Sequence, residues 1–166
     1  MTQPKIEIQL TPSDKTLEVL TMAAMGAYLV YIIFSYTKLP AQIPFHFGPS
    51  GEPDAWSSKA TIFMLPAIAL FIYILLTVIN KYPHTFNYLA KITPENAAFH
   101  YQKACSLIVR LKAAIVFSFM YISWRTIAIT EGRATGLGQW FIVVMLGLIF
   151  LPIVLYFVET SKQKEG

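Results

Sequence analysis

Ala60-Thr61-Ile62-Phe63-Met64-Leu65-Pro66-Ala67-Ile68-Ala69-Leu70-Phe71-Ile72-Tyr73-Ile74-Leu75-Leu76-Thr77-Val78-Ile79-Asn80 runs for 21 residues without a charge. A hydrocarbon core of roughly 30 Å takes about 20 apolar residues in helical form to cross, so this stretch predicts a membrane-spanning helix. Val19 to Thr37, 19 residues, and Ala134 to Val158, 25 residues, read the same way. The remaining candidate is interrupted: its charge-free core, Ala113 to Trp124, has only 12 residues and is bounded by Lys112 and Arg125. Leu107-Ile108-Val109 before it and Ile127-Ala128-Ile129 after it extend the apolar character. A span from about Leu111 to Thr130 follows if Arg125 snorkels to the interface. The expectation is therefore one all-α membrane domain over 1–166, with four transmembrane helices at about 17–37, 60–80, 107–130 and 136–158 and an ordered extracytoplasmic loop between the first two.

Composition agrees. Hydrophobic residues make up 55% of the chain and charged residues 13%, against roughly 25% charged in soluble domains. The net charge of +4 comes from basic residues scattered around helix ends, a pattern that sets membrane orientation and forms no stripe to track phosphates. The lipid bilayer is thus the expected partner and nucleic acid is not. One cysteine, Cys105, leaves no internal disulfide and no thiolate cluster. No small-residue cleavage site follows the first run, which is read as a retained helix.

Orientation follows from Lys and Arg in alternate connections. One side collects Lys5, Lys15, Lys81, Lys91, Lys103, Arg110, Lys112, Lys162 and Lys164, nine in all, and the other has Lys38, Lys59, Arg125 and Arg133, four. Both termini are expected in the cytoplasm. Pro66 and Pro152 fall inside the second and fourth spans, where each is expected to bend its helix for packing. In the middle connection, Thr85-Phe86-Asn87-Tyr88 alternates like a short extended piece, and Thr93-Pro94-Glu95 reads as a helix start. A helix from Pro94 to about Thr130 would be roughly 55 Å long and would project from the membrane or bend near Lys112. His84 and His100 are expected to be solvated, and the spans to hold almost no ionisable group near mid-membrane.

The loop before the second span is the chain's most distinctive feature. Leu39-Pro40 and Ile43-Pro44 stiffen its approach, Phe45-His46-Phe47 alternates, and Gly48-Pro49-Ser50-Gly51 supplies a tight turn in which Gly51 can take positive φ. Glu52, Asp54 and Trp56 lie on the return, and Ser57 or Ser58 can cap the next helix. The loop reads as a folded lid or small hairpin. His46, Glu52 and Asp54 form a cluster of ligand-type side chains. One imidazole and two carboxylates could hold a divalent metal, although the spacing matches no strong motif. The plainer reading pairs His46 with Asp54 across the turn and the acids with Arg125, Arg133 or Lys59. No nucleophile elbow, phosphate-binding glycine loop or HExxH helix is present in the sequence. Gly132-Arg133-Ala134-Thr135-Gly136 spaces its glycines like a helix-dimer motif, but belongs in a turn.

Leu39-Pro40, Ile43-Pro44, His46-Phe47, Gly51-Glu52-Pro53-Asp54, Trp56 and Ser58-Lys59 resemble the signature of the small bacterial membrane proteins grouped as domain of unknown function 1648. Pro83, Phe86-Asn87-Tyr88 and Ile92-Thr93-Pro94-Glu95-Asn96 agree with it. The same domain begins SdpI-type immunity proteins, which protect a cell from a secreted toxic peptide and can hold a repressor at the membrane. The resemblance implies a bacterial cell membrane location and marks His46, Gly51, Asp54 and Lys59 as the matching loop positions.

The resulting expectation is a non-enzymatic multi-pass protein without a cofactor, acting in peptide immunity or envelope signalling. Its outer loop (His46, Gly51, Glu52, Asp54, Trp56 and Lys59, with Arg125 nearby) would bind an extracellular peptide, and its basic side would meet a cytoplasmic regulator. Two other classes stay open. One is an oligomeric small-molecule or ion permeation unit, suggested by Pro66, Pro152 and the small-residue patch Ala23-Ala24-Met25-Gly26-Ala27. The other is a metal-dependent membrane enzyme using His46, Glu52 and Asp54.

Overall fold

Thr11 starts the first helix by accepting a hydrogen bond from the Asp14 amide at 3.1 Å, with Pro12 in the first helical position. The proline loses nothing there, because the first amides of a helix have no intrahelical acceptor. A computed structural model describes residues 3–162; Lys164 lies outside them. Helix α1 spans Pro12–Tyr36, strands β1 and β2 span Gln42–Phe47 and Pro53–Ser58, and a 3-10 turn over Lys59–Phe63 leads into α2, Met64–Ile79. A second 3-10 turn, Pro83–Thr85, precedes α3, Ala97–Thr130, and α4 covers Phe141–Lys162.

Among the described residues, four helical segments are long and apolar enough to cross a membrane. The chain is a multi-pass membrane protein, and the ordered loop is a two-stranded sheet. Its helices are arranged around α3. That helix packs on α1, α2 and α4, whereas α1 and α2 meet each other far less. The core forms where Met25, Tyr28 and Ile32 of α1 and Ala69 of α2 reach Val116 and Ile127 of α3. Tyr28 adds a polar tie, its hydroxyl lying 2.6 Å from Ser123 Oγ and donating to the Phe119 carbonyl at 3.2 Å. Helix α4 has no buried residue. It leans on α3 through the stacked rings of Tyr121 and Phe141, 5.3 Å apart, and a Lys103 to Glu159 ion pair of 2.9 Å.

Several sequence expectations are corrected here. The long helix begins at Ala97, not Pro94, because Asn96 Oδ1 accepts the Thr93 amide and holds 93–96 as a turn. The Thr93 hydroxyl meets Glu95 and holds that carboxyl below its ordinary range. The same Thr-Pro signal does start a helix at Thr11. Pro66 falls in the first turn of α2, directly after the 3-10 turn Lys59–Phe63, so its missing amide lies where the one helical form passes into the other. Residues Thr85–Tyr88 form no strand; Tyr88 folds back so that its hydroxyl donates to the Pro83 carbonyl at 2.9 Å, and burial raises its pKa. His100 is buried, with its ring edge-on to those of Tyr88 and Phe99. Helix α3 is assigned as one unbroken helix through Lys112, about 51 Å long at 1.5 Å per residue.

Lys112 is the largest departure. It stands near the middle of α3 with 1% of its surface exposed, and its ammonium lies 2.5 Å from Glu18 Oε1 of α1. It also donates to Thr77 Oγ1 of α2 at 2.8 Å and lies 4.5 Å from the centre of the Tyr73 ring. One cation thus ties three helices where a span boundary was expected. Nearer the start of α1, buried Asp14 accepts from the Ser106 and Thr11 hydroxyls, each at 2.6 Å.

Removing one member of a buried pair strands the other charge, at a cost of about 3–5 kcal/mol. Lys112→Met should therefore lower stability by that order, and adding Glu18→Leu should restore most of it. Chemical unfolding of both variants in detergent micelles checks this; equal loss in the single and double variants would contradict the coupling.

Candidate functional site

The loop between α1 and α2 is an antiparallel hairpin. Gln42 pairs with Ser58, Ile43 with Ser57, Pro44 with Trp56, His46 with Ala55 and Phe47 with Pro53. The register slips on either side of His46, leaving Phe45 and Asp54 without a directly opposite partner. Irregularities of this kind twist a ribbon and redirect side chains, and here His46 and Asp54 come together, Nδ1 2.6 Å from Oδ1. Both are more than half exposed, at 67% and 51% of their side-chain surface. Gly51 turns the chain with φ of 80°.

At its base the hairpin is fixed by Lys59. Its ammonium donates to the carbonyls of Leu39 at 3.3 Å and Tyr36 at 3.5 Å and sits 4.7 Å over the Tyr36 ring. A cation there answers the carbonyls left open at the end of α1. Ser58 accepts from the Ala60 amide and caps the turn into α2.

At its tip the hairpin is fixed by the α3–α4 connection. Helix α3 ends in a motif where Arg133 N donates to Ala128 O at 2.8 Å and Gly132, with φ of 72°, reverses the chain. Arg125 then donates through Nε and Nη2 to the Gly136 carbonyl, and Tyr121 donates to the Leu137 carbonyl at 2.8 Å. The Leu137 amide in turn donates to the Gly51 carbonyl at 2.7 Å. Gly136 lies so close that a Cβ there would stand 2.5 Å from Gly51 O. Beneath the hairpin lies an open apolar cleft of about 310 Å³, lined by Ile43, Phe45, Leu65, Ile122 and Met145, with His46 also on its wall.

Several expected pairings differ. Arg125 serves Gly136, Arg133 pairs with Glu131, and Lys59 serves α1, so none of the three meets Glu52 or Asp54. Backbone carbonyls at helix ends and turns have captured the cations that the acids were expected to hold. Among the described residues no group of three or more His, Cys, Asp or Glu side chains converges on a metal-sized site. Glu52 is an exposed side chain. Gly136 and Leu137 were overlooked as parts of the site; the dense glycines around Arg133 were the available signal, read only as a turn.

Residues 23–70 match a family model described as Domain of unknown function (DUF1648). The matched segment takes in most of α1, the whole hairpin and the start of α2, and ends before Pro83 and the rest of the middle connection. A protein of Archaeoglobus fulgidus, described as an uncharacterized protein, is 26% identical over 167 residues, covering 92% of this chain and 90% of its own. No solved structure matches.

Gly136→Ala would drive a methyl group into Gly51, and overpacking of this kind costs about 1–3 kcal/mol. The tip should lift while the bundle holds. Hydrogen exchange of residues 42–58 is expected to quicken by roughly tenfold or more, which corresponds to about 1.4 kcal/mol, with α1 and α3 unchanged; unaltered exchange would show that the tip is not seated through Gly136.

Proposed function

We propose that this is a non-enzymatic cell-membrane protein whose DUF1648 hairpin faces the outside and receives a peptide, in toxin immunity or envelope signalling. The observation that carries this reading is the hairpin itself. It is anchored at its base by Lys59 and at its tip by Leu137, yet it leaves Phe45, Trp56, His46 and Asp54 exposed. A segment held rigidly by backbone contacts with its side chains free is preorganised, so binding costs little further ordering. Phe45 and Trp56 supply apolar contact, and Glu52 and Asp54 supply negative charge. A membrane-active peptide with basic and apolar side chains has the matching chemistry. The basic residues at the opposite end, Lys15, Lys91 and Lys162 among them, support a cytoplasmic placement of that end and contact there with a regulator.

Two experiments test the reading. With Cys105→Ala as background, single cysteines replacing Ser50, Thr135 and Lys91 are to be probed in intact cells with an impermeant reagent. Labelling at 50 and 135 but not 91 is expected, and labelling at 91 alone would place the hairpin inside the cell. Cells carrying the protein should survive a panel of basic membrane-active peptides better than cells lacking it, and Trp56→Ala combined with Asp54→Asn should remove most of that protection. Equal survival, with no peptide crosslinked to the hairpin, would exclude this function.

A further inference from the structure

Helices α1 and α4 both lean on α3 but make little contact with each other, leaving a crevice whose floor is one face of α3. Along that face stand Lys103, Ser106, Arg110, Ala114, Phe117, Tyr121 and Trp124, spaced three or four residues apart as one stripe. The stripe changes character along its length. At the end away from the hairpin it borders a polar cavity of about 110 Å³ that includes Ser13, Gln102, Arg110 and Glu159. Toward the hairpin it borders two apolar hollows of about 280 and 520 Å³ that share Phe117 and Tyr121. Pro152 of α4 lines the polar cavity, and Leu148, one turn earlier, lines the apolar one.

The polar cavity holds donors in search of an acceptor. Gln102 Nε2 is buried without a hydrogen-bond partner. Among the described residues no carboxylate pairs with Arg110. The acids nearby are already engaged, Glu159 by Lys103 at 2.9 Å and Asp14 by the Ser106 and Thr11 hydroxyls. A guanidinium with free donors at the edge of an apolar crevice suits a phosphate, which it can hold through two parallel hydrogen bonds. From Arg110 to Tyr121 is about 16 Å along the helix, close to the depth of one leaflet of a ~30 Å core. Headgroup chemistry and chain chemistry therefore lie one leaflet apart on a single face.

We propose that this crevice binds one phospholipid, its phosphate on Arg110 and Gln102 and an acyl chain along Phe117 and Tyr121. The full-length protein, reconstituted in bilayers containing phosphatidylglycerol and transferred to mild detergent, is to be weighed by native mass spectrometry. One phosphatidylglycerol per chain should be retained. Arg110→Gln should reduce that retention about tenfold, while Lys162→Gln, at the same end of the bundle but outside the crevice, should leave it unchanged. If Arg110→Gln fails to fold, Val144→Trp, which fills the apolar half without altering charge, should give the same loss. Undiminished retention in the folded Arg110→Gln or Val144→Trp protein would overturn the proposal. So would displacement of the lipid by millimolar inorganic phosphate, which would reassign the cavity to the free anion.

Discussion

The bundle depends on where the charge of Lys112 can go. An ammonium near the middle of a 34-residue helix, with 1% of its surface exposed, is withdrawn from solvent, and its desolvation must be offset by groups of the protein. Glu18 offers a carboxylate, Thr77 a hydroxyl and Tyr73 a ring face, one helix supplying the first and another the other two. Hydrophobic attraction cannot specify how helices meet in lipid, because lipid tails are as apolar as the side chains. A polar contact of defined geometry can. The pair therefore fixes the rotation of α1 and α2 about α3, and small residues such as Ala69 and Ala113 then let the backbones close.

The hairpin stands on that arrangement. Its base needs the end of α1 and the start of α2 side by side, since Lys59 links them. Its tip needs α3 at the correct height, since Tyr121 and Arg125 hold the loop that receives Gly51. Both attachments run through carbonyl oxygens. The side chains that make the hairpin chemically distinctive are consequently spared for contact with something else, whereas a loop fixed through His46 or Asp54 would have used them.

Much of this was legible from one sequence because the bilayer imposes a single rule on every span. Charge-free runs located α1, α2 and α4 with ends up to seven residues off, and the prolines and glycines of 40–51 announced the turn and the positive φ at Gly51. What could not be read was partnership. Lys112 looked like a span boundary because a charge in isolation belongs at an interface; only the placement of Glu18, 94 residues away in sequence, shows that it is buried between helices. Arg125 was expected to meet a carboxylate and meets the Gly136 carbonyl instead, since backbone acceptors leave no mark in a sequence. Thr93-Pro94 and Thr11-Pro12 carry the same local signal, and Asn96 decides that only the latter begins a helix.

The order in which the chain is synthesised gives the buried pair another meaning. Glu18 and Thr77 belong to helices made before α3, and the lysine they require arrives a full helix after Thr77. Until then Glu18, directly before the charge-free run that begins at Val19, has no cation, and a position at the headgroups costs least. The DUF1648 segment ends before Thr77 and before all of α3. In this chain it is accordingly half of a structure, a pair of helices whose mutual orientation is settled by a residue outside its own bounds.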